Sequence, residues 1–209
     1  MPPSLKTVDV CIVILRDKPQ AQGGVPVIST ATVETQWHAV RERYAQVGVR
    51  VNWTGPVIAD PPSGVDLLTD GLLVRPSSTS RVVAAEAQTV IGNLGTQPDI
   101  SDIHVFYVNY CMAGSGTLYG TAIADYWYDE TEEAYLYNVF MSSNAQLLMP
   151  AHELGHLLTD VGYYNSVPLE NLMFDAPGYD FDNSAATDCK RFNSGQESLI
   201  RNNSHVGNP

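Results

Sequence analysis

Five consecutive residues, His152-Glu153-Leu154-Gly155-His156, constrain this chain more than any other segment. Leu147, Leu148, Ala151, Leu154, Gly155, Leu157 and Leu158 surround them and give a helix its apolar faces. Ser143 or Asn144 is placed to cap that helix, which is expected to run to about Asp160. Four residues along a helix turn about 40° around its axis and advance about 6 Å, so both imidazoles leave from one face. They can therefore meet one metal ion, with Glu153 placed to take a proton from a water that zinc acidifies. The plainer reading of the same residues is two helix histidines with no metal.

The rest of the chain supplies a frame. Val8 to Leu15 reads as an apolar strand, and Arg16 to Val27 as a loop rich in Pro and Gly. Ser29 or Thr30 caps a helix in which Val33, Trp37, Val40, Tyr44 and Val47 recur at helical spacing, and Gly48 ends it. Val49 to Trp53 alternates like a strand, and Gly55 to Gly64, with three prolines, reads as an irregular connection. A second helix is expected from Ser80 to Leu94, closed by Gly95. Strands follow at Ile103–Tyr110, Leu118–Tyr128 and Tyr135–Met141, with a Gly-rich turn at Ala113–Gly116. The last helix starts at Ser194 and carries Gln196, Leu199 and Ile200. The reading is one α+β domain with no repeat and no linker, divided into residues 1–160 and a small C-terminal part, 161–209.

The 209 residues, 44% of them hydrophobic, are enough to bury a core and exclude global disorder. No apolar run reaches the 18 or so residues of a membrane span. Eleven Lys and Arg against 23 Asp and Glu give a net charge of -12, which argues against nucleic acid and anionic membranes as partners. Of the three cysteines, Cys11 reads as a small buried hydrophobe, while Cys111 and Cys189, each near a loop, are candidates for one disulfide. The segment MPPSLKTVDV has no basic stretch followed by an apolar one and does not read as a signal peptide, which leaves open a leader or propeptide removed earlier. The acidic cluster Asp125, Asp129, Glu130, Glu132 and Glu133 reads as a solvated turn, with calcium binding as the alternative. His38 and His104 read as structural or surface residues, and His205 lies in a polar tail.

On these residues the chain resembles the zincin metallopeptidases, and the metzincin clan more than the thermolysin-like clan. The specific part runs from Gly120 to Met173. Gly120-Thr121-Ala122-Ile123-Ala124 stands where the family has an edge strand that pairs with substrate, and Asn171-Leu172-Met173 resembles its Met-turn. The resemblance implies a mixed twisted sheet, backing helices and a long zinc-site helix. It also departs from the family pattern, which places a glycine where Thr159 stands and a third His or Asp where Gly162 stands.

The third metal ligand is thus open. Tyr163 follows the first glycine after the helix, and a phenolate binds zinc, although its ordinary pKa near ~10 makes that costly. Glu170 would complete a set of two His and one Glu, and Asp175, Asp180 or Asp182 are further carboxylates. Asp160 suits a role in orienting a ligand imidazole better than ligation, since it is about 12 Å along the helix from His152. A two-histidine site completed by water is the remaining case.

The resemblance implies a zinc-dependent endopeptidase with Zn2+ held by His152, His156 and Tyr163 or an alternative, and Glu153 as general base; the acidic, Lys-poor composition with such a site suggests secretion, and a monomer is expected. Its substrate is a peptide or protein lying along Gly120–Ala124. Tyr163 or Tyr164 is a candidate donor to the developing oxyanion. Two rivals are a zincin-fold binding module with impaired catalysis and a metal-dependent amidase or deacetylase.

Overall fold

In the computed structural model, residues 5–68, 71–94, 103–124, 137–159, 171–173 and 191–208 are described. The strands are β1 (Lys6–Leu15), β2 (Val49–Ala59), β3 (Leu72–Arg75), β4 (Ile103–Val108), β5 (Cys111–Ala113), β6 (Gly116–Leu118), β7 (Gly120–Ile123) and β8 (Asn138–Ser142). The helices are α1 (Thr30–Ala45), α2 (Ala85–Leu94), α3 (Met149–Thr159) and α4 (Ser194–Asn202). A five-stranded sheet runs in the order β2-β1-β4-β8-β7, parallel except for β7, and a three-stranded sheet runs β3-β5-β6. The architecture is a single α+β domain with a mixed sheet and backing helices.

The apolar run of β1 follows from its place inside the sheet. A strand flanked by parallel neighbours and covered on both faces has no solvent side. Val8, Val10, Ile12 and Ile14 enter the core that also holds α1, α3 and α4, while Cys11, Val13 and Leu15 enter the core on the α2 side. β4 and β8 divide in the same way: Val105, Tyr107, Val139 and Met141 face the first core, Phe106 and Phe140 the second.

α1 starts where the sequence predicts. The Ser29 hydroxyl accepts from the Thr32 N–H, and the buried residues Val33, Gln36, Trp37, Val40 and Tyr44 recur on one face. Gly48, at φ +70°, turns the chain into β2.

Several sequence expectations need correction. β2 continues to Ala59 through the stretch expected to be irregular. The register shifts between Cys11–Thr54 and Val13–Val57, so Gly55 and Pro56 form a bulge on an edge strand, where proline's missing N–H does least harm. α2 begins at Ala85 rather than Ser80, because the Ala84 N–H is taken by the Val74 carbonyl of β3. The strand expected at Leu118–Tyr128 is two: Leu118 ends β6, and β7 starts at Gly120. The short β3, β5 and β6 are additions, with the expected Gly-rich turn forming the β5–β6 hairpin around Gly114 (φ +60°). α3 begins at Met149, later than a cap at Ser143 or Asn144 requires. Cys111 carries a free thiol inside the core, so it is not disulfide-bonded to Cys189.

A polar chain inside the first core fixes α1 against the approach to α3. Trp37 Nε1 donates to the Tyr107 hydroxyl at 3.2 Å, which donates to Gln36 Oε1 at 2.8 Å. Gln36 Nε2 in turn donates to the Ala145 carbonyl at 2.8 Å, between β8 and α3. The Tyr44 hydroxyl donates to the Ala151 carbonyl at 3.1 Å, one residue before His152.

Tyr107→Phe leaves the Trp37 N–H and Gln36 Oε1 without this buried partner and is expected to cost about 1–3 kcal/mol in urea unfolding; an unchanged midpoint contradicts the network. Burial pushes the Tyr44 and Tyr107 phenols above their ordinary value, the Trp37 hydrogen bond opposing this slightly at Tyr107. The folded chain therefore keeps protons that the unfolded chain releases. This stability is fully present below about pH 10 and declines as pH rises beyond it. Unfolding free energies that stay flat across that range contradict the assignment.

Candidate metal centre

α3 is buried along its whole length, from Met149 to Thr159. It packs against α1, α4, β7 and β8, so its polar side chains must find partners inside the protein. Its three chemistry-bearing residues are among the most enclosed polar groups: His152 is 4% exposed, Glu153 6% and His156 7%.

The two imidazoles meet edge to face, with centroids 4.6 Å apart and planes at 87°. Their Nε2 atoms lie 3.0 Å from each other. That separation is less than twice the ~2.0–2.1 Å length of a zinc–imidazole bond, so one ion can touch both nitrogens. His152 Nδ1 is 2.9 Å from the Leu172 carbonyl oxygen. A carbonyl only accepts, so Nδ1 carries the proton and Nε2 presents its lone pair, the form a metal ligand needs. With that tautomer, His156 Nε2–H donates to His152 Nε2. The pair thus fits zinc in donor type and convergence, and His152 also in proton placement.

Glu153 follows His152 and lies beside the first residue of β7. A Cβ on Gly120 would stand 3.0 Å from Glu153 Cγ and 3.1 Å from Oε1. β7 is the outermost strand of the five-stranded sheet, paired antiparallel with β8 on one side. The carboxylate therefore lies at the edge of the sheet. Its charge also reaches Cys111, whose thiol is pushed up to about 12 mainly by burial, lowered somewhat by the Ser142 hydroxyl and raised by Glu153. Cys111 stays a protonated thiol at neutral pH and is no nucleophile.

Met173 lies against α3 at Gly155, between the histidines in the chain. A Cβ at Gly155 would overlap the Met173 sulfur, approach its Cε to 3.1 Å and meet Phe192 at 3.5 Å. Glycine in the middle of a buried helix is otherwise a cost of roughly 1 kcal/mol, and here it admits the methionine. Thr159, where the family pattern has glycine, donates its hydroxyl to the Gly155 carbonyl at 2.7 Å and is itself buried. Thr159 is the last residue of α3, and its hydroxyl is satisfied on the preceding turn.

The structure brings His152, Glu153, His156, Gly120 and Met173 together. Tyr163, Tyr164, Glu170, Asp175, Asp180, Asp182 and Asp160 lie outside the described residues, as do Cys189 and the acidic cluster from Asp125 to Glu133. Among the described residues, no three His, Cys, Asp or Glu side chains gather as a metal-holding group. His104 is buried in β4 and stacks on Phe106, His38 meets Trp53 edge-on, and His205 lies over Tyr137. Sequence reasoning named Gly120 and Asn171 only as members of the edge strand and the Met-turn, and Gln196 only as part of the last helix, and missed the close approach of Gly120 to Glu153 and the pairing of the two amides. The Asn193-x-x-Gln196 capping box was the readable signal for Gln196.

No family model and no curated protein matches the sequence. The fold is similar to the crystal structure of a zinc-dependent peptidase from Methanocorpusculum labreanum (strain Z), with a TM-score of 0.51 and 11% identity, over 92% of this chain and 99% of that one. The likeness is one of fold. At this identity it carries no residue role across.

Gly155→Ala forces the new methyl group into the Met173 sulfur and is expected to destabilise the chain by about 1–3 kcal/mol in urea unfolding. Wild-type stability would show that Met173 does not pack on this helix.

Proposed function

We propose that the chain is a zinc-dependent endopeptidase whose centre is built on α3, with His152 and His156 as two of the metal ligands. The observation that carries this reading is the convergence of the two Nε2 atoms to 3.0 Å, with the His152 proton held on the far nitrogen by the Leu172 carbonyl. The third ligand on this reading comes from Tyr163, or from Glu170, Asp175 or another downstream carboxylate. Zinc bound there supplies Lewis acidity and makes water a usable nucleophile near neutral pH.

The chain's own residues supply the proton transfers and the orientation. Glu153 takes the proton of the attacking water and returns it to the leaving amine. Its closeness to Gly120 supports a peptide that adds as a further strand along β7. The substrate is accordingly an extended peptide or protein segment. A monomeric, secreted protein is the matching context, given the net charge of -12.

A second reading is a zincin-fold peptide-binding module with impaired catalysis. One observation favours it: among the described residues, His152 and His156 have no third ligating side chain grouped with them. Glu153, buried beside the pair, favours the enzyme.

Glu153→Gln separates the two. On the enzyme reading this variant binds zinc as the wild type does and loses at least about a hundredfold in kcat on an unstructured protein such as casein. The wild type also loses activity on chelation and regains it with zinc. Chelator-sensitive hydrolysis that is unchanged in Glu153→Gln overturns the role of Glu153. A wild type that holds zinc and binds peptides without cleaving them supports the module.

A further inference from the structure

The segment Asn171–Met173 is separated in sequence from the helix it serves, yet its Leu172 carbonyl meets His152 Nδ1. The hydrogen bonds around it show why that carbonyl points where it does. The Leu172 carbonyl and the Met173 N–H belong to one planar trans peptide, so fixing the N–H on one side directs the oxygen to the other. The Met173 N–H donates to Asn171 Oδ1 at 2.8 Å. The Leu172 N–H donates to the Arg191 carbonyl at 2.9 Å.

The Asn171 carboxamide is itself clamped. Its Nδ2 donates to Gln196 Oε1 at 2.8 Å, and Gln196 Nε2 donates back to Asn171 Oδ1 at 3.1 Å. Both amides are buried, at 5% and 2% exposure. Backbone donors fix their orientation: Asn171 must turn its oxygen to the Met173 N–H, and Gln196 must turn its oxygen to the Asn193 N–H at 2.9 Å. Asn193 Oδ1 accepts the Gln196 N–H at 2.9 Å, which anchors the pair to the start of α4. The two amides therefore satisfy each other in a single arrangement, and flipping either one sets N–H against N–H.

We propose that the buried Asn171–Gln196 amide pair is a positioning device for His152, holding the Leu172–Met173 peptide so that its carbonyl keeps the proton on Nδ1 and leaves Nε2 toward His156. This rests on the reading of His152 as a ligand. Neither amide touches the reacting atoms. Their effect passes through one peptide plane to one imidazole, and it links the fold of α4 to the state of a helix that ends 35 residues before α4 begins.

The test reads the tautomer directly in the metal-free whole chain, by 15N NMR of the histidine rings at about pH 8, above the ordinary imidazole range. The wild type should show His152 as a single Nδ1–H tautomer. Asn171→Ala should convert it to a mixture and weaken zinc binding about 10–100-fold. Asn171→Asp keeps the oxygen that accepts the Met173 N–H and should restore the single tautomer, which a loss of packing alone would not predict. If Asn171→Ala does not fold, Gln196→Met, which keeps the volume and removes the amide, is read in the same way. A single Nδ1–H tautomer in folded Asn171→Ala, or in folded Gln196→Met where Asn171→Ala does not fold, overturns the proposal. A wild type with no affinity for zinc would overturn the metal reading instead, and the tautomer measurement would still decide the role of the amides.

Discussion

A helix buried along its whole length can carry two imidazoles and a carboxylate only if the surrounding structure meets their polar atoms, because an unmet polar group in such a place costs several kcal/mol. α3 is such a helix, and much of the molecule can be read as the answer to that demand. The Leu172 carbonyl meets His152, the two histidines meet each other, and β7 comes close enough to the Glu153 side chain that a Cβ at position 120 would crowd it. Tyr44 from α1 reaches the Ala151 carbonyl, so even the backbone before His152 is tied to a neighbouring element.

The sheet provides the rigid background. β1, β4 and β8 are parallel and covered on both faces, and β8 leads into the connection that Gln36 holds at Ala145 before α3 begins. The C-terminal segment closes the body. Gly207 pairs with Thr7 of β1, Arg201 donates to the Val47 and Gly48 carbonyls after α1, and the start of α4 holds the turn that carries Met173. Residues far apart in the chain thus converge on one short stretch of helix.

What the sequence made legible follows from locality. The strand at β1, the capped helix α1 and the histidine-bearing helix announce themselves through period, caps and composition, all of which act within a few residues. Pro56 misled because a bulge is defined by the partner strand, and one strand alone does not show it. The strands β3, β5 and β6 are three or four residues long and carry too little alternation to register. At the site, His152, Glu153 and His156 were readable as chemistry because their spacing is the helical period. Asn171 and Gln196 were not: two amides 25 residues apart look ordinary until the fold pairs them. Gly155 was visible as part of the motif, but its reason, the sulfur of Met173, is a tertiary contact.

The central claim is that His152 and His156 share one metal ion. Zinc K-edge X-ray absorption on the zinc-loaded whole chain addresses it most directly. The account predicts about one zinc per chain, nitrogen neighbours at ~2.0–2.1 Å and the outer-shell scattering of two imidazole rings. Substoichiometric zinc, or zinc with no imidazole scattering, would contradict it and leave the two histidines as a buried hydrogen-bonded pair.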